Sequence, residues 1–391
     1  MRTSENDLAR RLTLVVLLVA NALLYMTWPW LRSQPLASDS SATYSSKNVM
    51  RNELYLSWFF DSIRSDKRIL YLGTSESTSR SNLAAQFNKL APDNPKIIPY
   101  AKAGLSPIHS AVLVAKWERE GITIPPLVLV INPVYFTHTY DEINDGWLSQ
   151  VVRSPVFLQM NHRHILDYLS PEVRDIYDRH FSLRRLLYLA TMQEYLGNLF
   201  YLFFHQFSGE PSAQRLRVPA YEFDGKLPEY DESKNVWKNI QAPDRFDQSR
   251  WLVREPQESV NLKGLASLMG ILRKKPAPVL LLVLPVNRKF YEYYDLDMSE
   301  FDRRYQALRD RIRYLSRGEN IYWIDLFELP KVQLGFRDRM HMDQYGFFQI
   351  ARFILESPEY GRFIDGVRAY YHEPALAQSV EPASQKSISA P

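Results

Sequence analysis

The sequence predicts an α/β fold of three layers, α/β/α, in which a five-stranded parallel sheet lies between helices. Five short apolar runs predict the strands, at residues 69–72, 96–101, 127–131, 278–286 and 320–327. Near-continuous apolar runs are typical of parallel strands that are buried on both faces. Helix-like segments separate the runs, as parallel strands require, and the clearest are residues 110–120, 259–274 and 300–316. A last helix at residues 344–355 is expected to close the domain.

Composition limits the class of protein. Hydrophobic residues make up 46% of the 391 residues and aromatic residues 13%, which is enough for a sizeable core. The net charge of +4 is too small to indicate nucleic-acid binding. The chain has no cysteine, which excludes disulfides, thiol catalysis and cysteine-ligated zinc.

Histidine spacing predicts no metal site, and nothing in the sequence indicates a cofactor. Apart from His341, which is discussed below, the histidines lack the paired spacing of metal ligands and are interpreted as structural. They are His109, His138, His162, His164, His180, His205 and His372.

An uncharged stretch at residues 12–31 predicts one transmembrane helix, because about 20 apolar residues cross the hydrocarbon core. Arginines precede it, so the positive-inside rule places residues 1–11 in the cytoplasm and the rest of the chain outside. The alternative is a signal peptide cleaved after the small residues at 20–22, but the segment favours an uncleaved anchor in the cytoplasmic membrane. Residues 32–50 are rich in serine and alanine and are interpreted as a linker.

The alternation of strands and helices stops at residues 137–255. This segment is rich in aromatic residues and arginine, and we interpret it as a helical insertion that caps the active edge of the sheet. It divides the α/β domain into residues 51–136 and 256–372. Residues 186–207 are strongly apolar, but polar residues among them favour a buried cap helix over a second membrane crossing. Residues 373–391 are expected to be disordered.

The first predicted strand is followed by a sharp polar turn. Gly73 permits the turn, and Thr74, Ser75, Glu76 and Ser77 follow it. A serine at the carboxyl end of a parallel strand, close to a helix N-terminus, lies where open α/β sheets place their chemistry, so Ser75 is the candidate nucleophile. The alternative is an ordinary turn in which Ser or Thr caps the next helix.

Residues suited to acyl-transfer chemistry follow the other strands as well. Gly104 follows the second strand, Asn132 the third and Asn287 the fourth, while Asp338 and His341 follow the fifth. All carboxyl ends of a parallel sheet lie on one edge, so these residues are expected to meet in one crevice. Each also has a simpler explanation as a turn or helix-cap residue.

The spacing suggests roles in a Ser-His-Asp triad. Asp338 precedes His341 by three residues and is expected to orient its imidazole, which takes the proton from Ser75. The backbone N–H groups of Ser75 and Gly104, with the side-chain amide of Asn132, are expected to face the developing oxyanion, a contribution of about 3 kcal/mol per donor. Asn287 is expected to contact the substrate.

These motifs resemble known families. The turn GTSES, together with an acid three residues before a histidine ahead of the last helix, resembles the SGNH hydrolase superfamily. The segments INPVYF, LPVNRKFYEYYDL and DRMHMDQYGF resemble the DltD proteins of D-alanine transfer to lipoteichoic acid. The resemblance implies an SGNH-like domain on one N-terminal anchor. It implies as partners a membrane-bound O-acyltransferase (DltB-like), an acyl carrier protein and an envelope glycopolymer.

The function that the resemblance implies is serine-dependent acyl transfer, or hydrolysis of an acyl ester or thioester, in D-alanylation or a similar small-acyl modification of a cell-envelope polymer. Two alternatives stay open. One is a polysaccharide O-acetyltransferase or deacetylase of the same superfamily. The other is a non-catalytic accessory subunit of a membrane-bound O-acyltransferase.

Overall fold

The structure is a computed structural model, and it describes the part of the chain that holds the sheet and its helices. The described residues are 11–16, 18–20, 22–23, 26, 60, 62–73, 83–101, 106–119, 122–142, 144, 248–255, 258–327, 335–336 and 340–372. Of the predicted cap insertion, this leaves only the two ends. The predicted linker at residues 32–50 and the tail at residues 373–391 lie outside the described residues.

Five parallel strands form one sheet in the order β2-β1-β3-β4-β5, which confirms the predicted α/β class and the five-stranded parallel sheet. The strands are β1 (Ile69–Gly73), β2 (Ile97–Ala101), β3 (Leu127–Ile131), β4 (Val279–Val283) and β5 (Ile321–Asp325). Each lies inside or within one residue of a predicted apolar run. The continuous runs succeed as a signal because β1, β3 and β4 are buried along their whole length.

Seven α-helices with defined bounds accompany the sheet in the described part of the chain. They are α1 (Leu83–Leu90), α2 (Pro107–Arg119), α3 (Val260–Leu272), α4 (Arg288–Tyr293), α5 (Met298–Leu315), α6 (Gln344–Leu355) and α7 (Pro358–His372). The predicted crossover segments correspond to α2, α3 and α5 with ends shifted by one to three residues, and α6 has the predicted bounds.

Side chains alternate between the two faces of the sheet and build two separate cores. Leu70 and Leu72 of β1 point into a first cluster, which holds buried residues of α2, α3 and α5. Ile69 and Tyr71 of the same strand point into a second cluster, with α1, α6 and α7. The sheet therefore lies between two helical layers, as the three-layer prediction requires.

Close helix packing reinforces the first layer. A Cβ atom on Gly264 of α3 would lie 2.6 Å from the backbone Cα of Ile108 in α2, a distance that real Cβ atoms do not reach. The two helices can approach this closely only because position 264 has no side chain. Phe60 and Trp117 extend this layer, with ring centroids 4.7 Å apart.

The expectation that the helix at residues 344–355 closes the domain is wrong. A further helix, α7, begins at Pro358 and packs against β4 and β5 in the second core. Its start has clear local chemistry, since proline is favourable in the first helical turn and the Ser357 hydroxyl accepts a hydrogen bond from the Glu359 N–H at 3.2 Å. The apolar residues of α7 are spaced among charged ones, so the segment contains no long apolar run that would predict a buried helix.

The predicted anchor falls partly on described residues. These are helical at residues 11–16, 18–20, 22–23 and 26, and their large apolar side chains are exposed. In the described part of the chain, none of the helices combines the length and the apolar character that a membrane crossing needs.

A contact between two glycines joins Gly335 to the first turn of α6. The carbonyl oxygen of Gly335 accepts a hydrogen bond from the Asp343 N–H at 2.8 Å, and Asp343 in turn caps α6 through the Gly346 N–H at 2.8 Å. A Cβ atom on Gly346 would lie 2.8 Å from that same carbonyl oxygen. Side chains at these positions would force the loop away from the helix.

We therefore expect Gly346→Ala to lower the free energy of unfolding by about 1–3 kcal/mol, the usual cost of overpacking. Gly270→Ala is the matched control, because Gly270 also lies in a helix but nothing lies within 4 Å of a Cβ there. The control should be neutral or stabilise the protein by up to about 1 kcal/mol through helix propensity. Urea denaturation followed by circular dichroism measures both, and equal effects would contradict the packing argument.

Candidate active site

The strand order predicts a crevice at the carboxyl edge of the sheet. The order 2-1-3-4-5 changes direction at β1 and β3: α1, the helix after β1, packs on one face of the sheet, and α3, the helix after β3, packs on the other. At such a switch point the loops after two neighbouring strands diverge and leave a crevice, the usual ligand site of open α/β sheets. Leu72 pairs with Leu129, so the two strands end side by side.

Two candidate residues follow the strands that form this crevice. Asn132 comes directly after β3, and Ser75 follows β1 by two residues. Ser75, Gly104 and Asp338 lie outside the described residues, so their positions and contacts stay predictions. The nearest described residues are Gly73, two before Ser75, Ser106, two after Gly104, and Met340, two after Asp338.

Asn132 is buried, with 1% of its surface exposed, and its amide has a defined orientation. Its Oδ1 accepts a hydrogen bond from the Val134 N–H at 3.0 Å and so caps the short 3-10 helix Pro133–Phe136. The other polar atom of the amide is Nδ2, which is a donor. This is the atom that an oxyanion role requires.

Asn287 is fully buried after β4 and caps α4, because its Oδ1 accepts from the Phe290 N–H at 3.2 Å. Asn287 is therefore a helix-cap residue, which is the simpler explanation that its sequence position allows. Its predicted contact with a substrate stays a prediction.

His341 is half-buried on the loop that leads into α6. Its neighbours anchor it from both sides: Met340 is 4% exposed and belongs to the first core, and Met342 is 4% exposed and belongs to the second. A bridge between Phe336 and Met342 closes the loop. The backbone at His341 is thus held between the two hydrophobic layers, at the start of the helix that follows the last strand.

The structure contains a serine–histidine pair that the sequence interpretation treated as two ordinary residues. Ser106 is fully buried, and its Oγ lies 2.7 Å from Nδ1 of His109, while its backbone N–H lies 3.3 Å from the same nitrogen. His109 is the third residue of α2. In a capping box the side chain at this position accepts a hydrogen bond from the backbone N–H of the residue before the helix, here Ser106. The Ser-x-x-His spacing before an apolar helix was the signal for this contact. The contact closes the N-terminus of α2.

The two ends of the insertion join in a stem, defined here as residues 132–142 and 248–261. Thr137 pairs with Val253 in an antiparallel bridge, and the His138 N–H donates to the Leu252 carbonyl at 3.1 Å. The Arg304 guanidinium, from α5, donates to the Val253 carbonyl at 3.0 Å. The stem therefore holds together two segments that are more than a hundred residues apart in the chain.

Asp141 is the centre of the stem, and its side chain is fully buried. Its carboxylate accepts from the Ser259 hydroxyl at 3.1 Å, from the backbone N–H groups of Val260 and Asn261 at 3.0 Å each, and from Asn261 Nδ2 at 2.9 Å. A negative group is favourable at this position because the donors belong to the N-terminus of α3. Burial raises the pKa of the Asp141 carboxyl above its ordinary value, while the hydrogen bonds and Arg254 oppose that rise.

We expect Asp141→Ala to lower the free energy of unfolding by about 3 kcal/mol or more, because several buried donors would lose their acceptor together. The control is Asp297→Ala. Asp297 is exposed and caps α5, because its Oδ1 accepts hydrogen bonds from the Ser299 and Glu300 N–H groups. That change should cost only about 1 kcal/mol. Chemical denaturation compares the two variants, and a loss at Asp141 no greater than at Asp297 would contradict its role in the stem.

His138 is expected to make the stability of the folded protein depend on pH. Burial lowers the pKa of its imidazole from 6.5, and the nearby guanidinium groups of Arg254 and Arg304 lower it further, against the weaker opposite effect of Glu142 and Glu258. The unfolded chain therefore takes up a proton at this residue at a higher pH than the folded chain does.

Well above pH 6.5 the imidazole is neutral in both states, and His138 adds no pH dependence. As the pH falls below that value the unfolded state gains the proton first, so the wild type should lose stability that a His138→Gln variant retains. Urea denaturation between pH 7 and pH 5 measures the difference. His372→Gln, at the exposed end of α7, should follow the wild type, and a wild-type curve that runs parallel to His138→Gln would contradict the shift.

The fold is that of a doubly wound α/β protein, and the candidate site lies at the carboxyl edge of the parallel sheet, at the switch point between β1 and β3. Residues 230–356 match the family model described as DltD protein. The chain is thus DltD-like, which confirms the resemblance predicted from its motifs. The matched part contains Asn287, Asp338 and His341, and it does not reach Ser75, Gly104 or Asn132. No curated protein matches the chain.

Proposed function

We propose that this chain is a serine acyltransferase or acyl-ester hydrolase of the DltD type, which acts in D-alanylation or a similar small-acyl modification of a cell-envelope polymer. One observation carries the proposal: the strand reversal puts the end of β1, two residues before Ser75, beside the end of β3, where Asn132 stands. The DltD match adds support from the other half of the chain, because it includes Asp338 and His341.

In the proposed reaction the Ser75 hydroxyl attacks the carbonyl carbon of the acyl donor while His341 takes the hydroxyl proton. The oxyanion that forms faces the N–H groups of Ser75 and Gly104 and the Nδ2 group of Asn132. Collapse of this intermediate breaks the bond to the donor alcohol or thiol, which leaves with the proton from His341. An acceptor hydroxyl, or water, then attacks the acyl-serine in the same way and regenerates Ser75. Asp338 holds the imidazole in the required tautomer.

The proposal includes the setting of the reaction. Residues 12–31 anchor the chain in the cytoplasmic membrane, and the α/β domain stands on the outer side. A membrane-bound O-acyltransferase of the DltB type is the proposed partner, with an acyl carrier protein further upstream. The insertion between the two ends of the stem caps the crevice, and Asn287 shapes its wall from beside β4.

The test is hydrolysis of a small activated ester and of an acyl thioester by the full-length chain in detergent. Ser75→Ala and His341→Gln should each lower kcat by about 10³-fold or more, because members of a triad act as a unit. Ser299→Ala, an exposed serine at the start of α5, should leave the rate unchanged.

The same variants decide the role in cells. Mass analysis of the envelope polymer should show loss of its acyl groups in the Ser75→Ala strain, and the mass of the lost group separates D-alanyl from acetyl. Full acylation together with full hydrolysis in the Ser75→Ala protein would overturn the proposed function and favour a non-catalytic subunit.

A further inference from the structure

A contact between the stem and the loop of His341 joins two parts of the chain that lie 200 residues apart. The hydroxyl of Tyr140 donates to the sulfur of Met340 at 3.3 Å. Met340 immediately precedes His341 and is almost fully buried. The stem thus touches the residue next to the candidate general base.

Tyr140 occupies a fixed position on the stem. The next residue is Asp141, which four hydrogen bonds tie to the N-terminus of α3. The ring of Tyr140 packs edge-on against Tyr135, with ring centroids 5.2 Å apart. The bonds of Asp141 thus hold the backbone beside Tyr140, and the contact with Tyr135 orients its ring.

The same stem begins at Asn132. Its Oδ1 binds the turn Pro133–Phe136, and that turn continues through Thr137 into Tyr140. One rigid segment thus holds the candidate oxyanion donor at one end and touches the loop of the candidate base at the other. Because acyl transfer depends on the distance between these groups, an error of about 1 Å between them can cost about 10²-fold in rate.

We propose that Tyr140 is a positioning residue for His341: its hydroxyl holds the sulfur of Met340 and thereby fixes the loop that carries the imidazole. The inference rests on the proposed function for its effect on rate. Tyr140 itself touches no reacting atom.

A double-mutant cycle tests the contact. Tyr140→Phe keeps the ring and removes the hydroxyl, and Met340→Leu keeps the apolar volume and removes the sulfur. Each single change should lower kcat for the ester about threefold to tenfold and leave KM unchanged, with a shifted acid limb in the pH–rate profile. The double variant should be no slower than the slower single one, because both changes break the same contact. Tyr293→Phe, at a 55% exposed tyrosine, is the control and should match the wild type.

A residue that only stabilised the fold would give a different result: a lower melting temperature with wild-type kcat and pH profile at 25 °C. That result, or independent losses that multiply in the double variant, would overturn the inference.

The second measurement does not depend on turnover. In protein labelled with ¹³C at the histidine rings, the signal of His341 is assigned as the one missing in His341→Gln. Tyr140→Phe should change its chemical shift and its titration midpoint, and the signals of the other histidines far from the stem should not change. An unchanged His341 signal would overturn the inference.

The two proposals fail in different ways. A Ser75→Ala protein with wild-type hydrolysis would overturn the proposed function, and the His341 signal would still decide the role of Tyr140. If Ser75→Ala is inactive but Tyr140→Phe has wild-type rates and an unchanged His341 signal, the positioning role alone is overturned.

Discussion

Burial of the parallel sheet on both faces determines where the other parts of this molecule lie. Parallel strands require a crossover between neighbours, and here helices supply the crossovers on both faces of the sheet. The backbone hydrogen bonds of such a sheet are satisfied only when the strands run in register. All five carboxyl ends therefore meet on one edge: Gly73 pairs with Ala101, and Ile131 lies in line with Val283 and Asp325. The hydrophobic cores thus decide where polar residues far apart in sequence can assemble.

A second constraint is polar. A buried carboxylate is costly unless donors surround it, and Asp141 has donors from three consecutive residues at the start of α3. These bonds close the insertion at its base, so more than a hundred residues can leave the sheet after β3 and return at α3 without separating the two halves of the domain. The stem then has a geometric consequence, since Tyr140 beside Asp141 reaches the loop of His341. Closure of the insertion and placement of the candidate base are parts of one arrangement.

Local patterns predicted the elements that local physics controls. The strands were found because both faces are apolar, and α6 was found with its bounds because Asp343 caps it and a dense apolar stripe follows. The helix α7 was missed, since its buried residues Tyr360, Phe363, Ile364 and Val367 are spread among charged ones and only the second core shows what they pack against. Ser106 and His109 have the spacing of a capping box, but histidine is an uncommon acceptor at that position, so the spacing alone does not predict the contact.

The sequence predicts the α/β class, the five strands, their parallel direction and the DltD-like motifs, because hydrophobic periodicity and short-range caps are properties of neighbouring residues. It also named Asn132 and His341 as residues that follow strands. The strand order, which makes β1 and β3 neighbours, is visible only in the folded molecule, because it depends on contacts between distant segments. The stem belongs to the same class of fact: nothing near Asp141 in the sequence indicates that its hydrogen-bond donors lie 118 to 120 residues away.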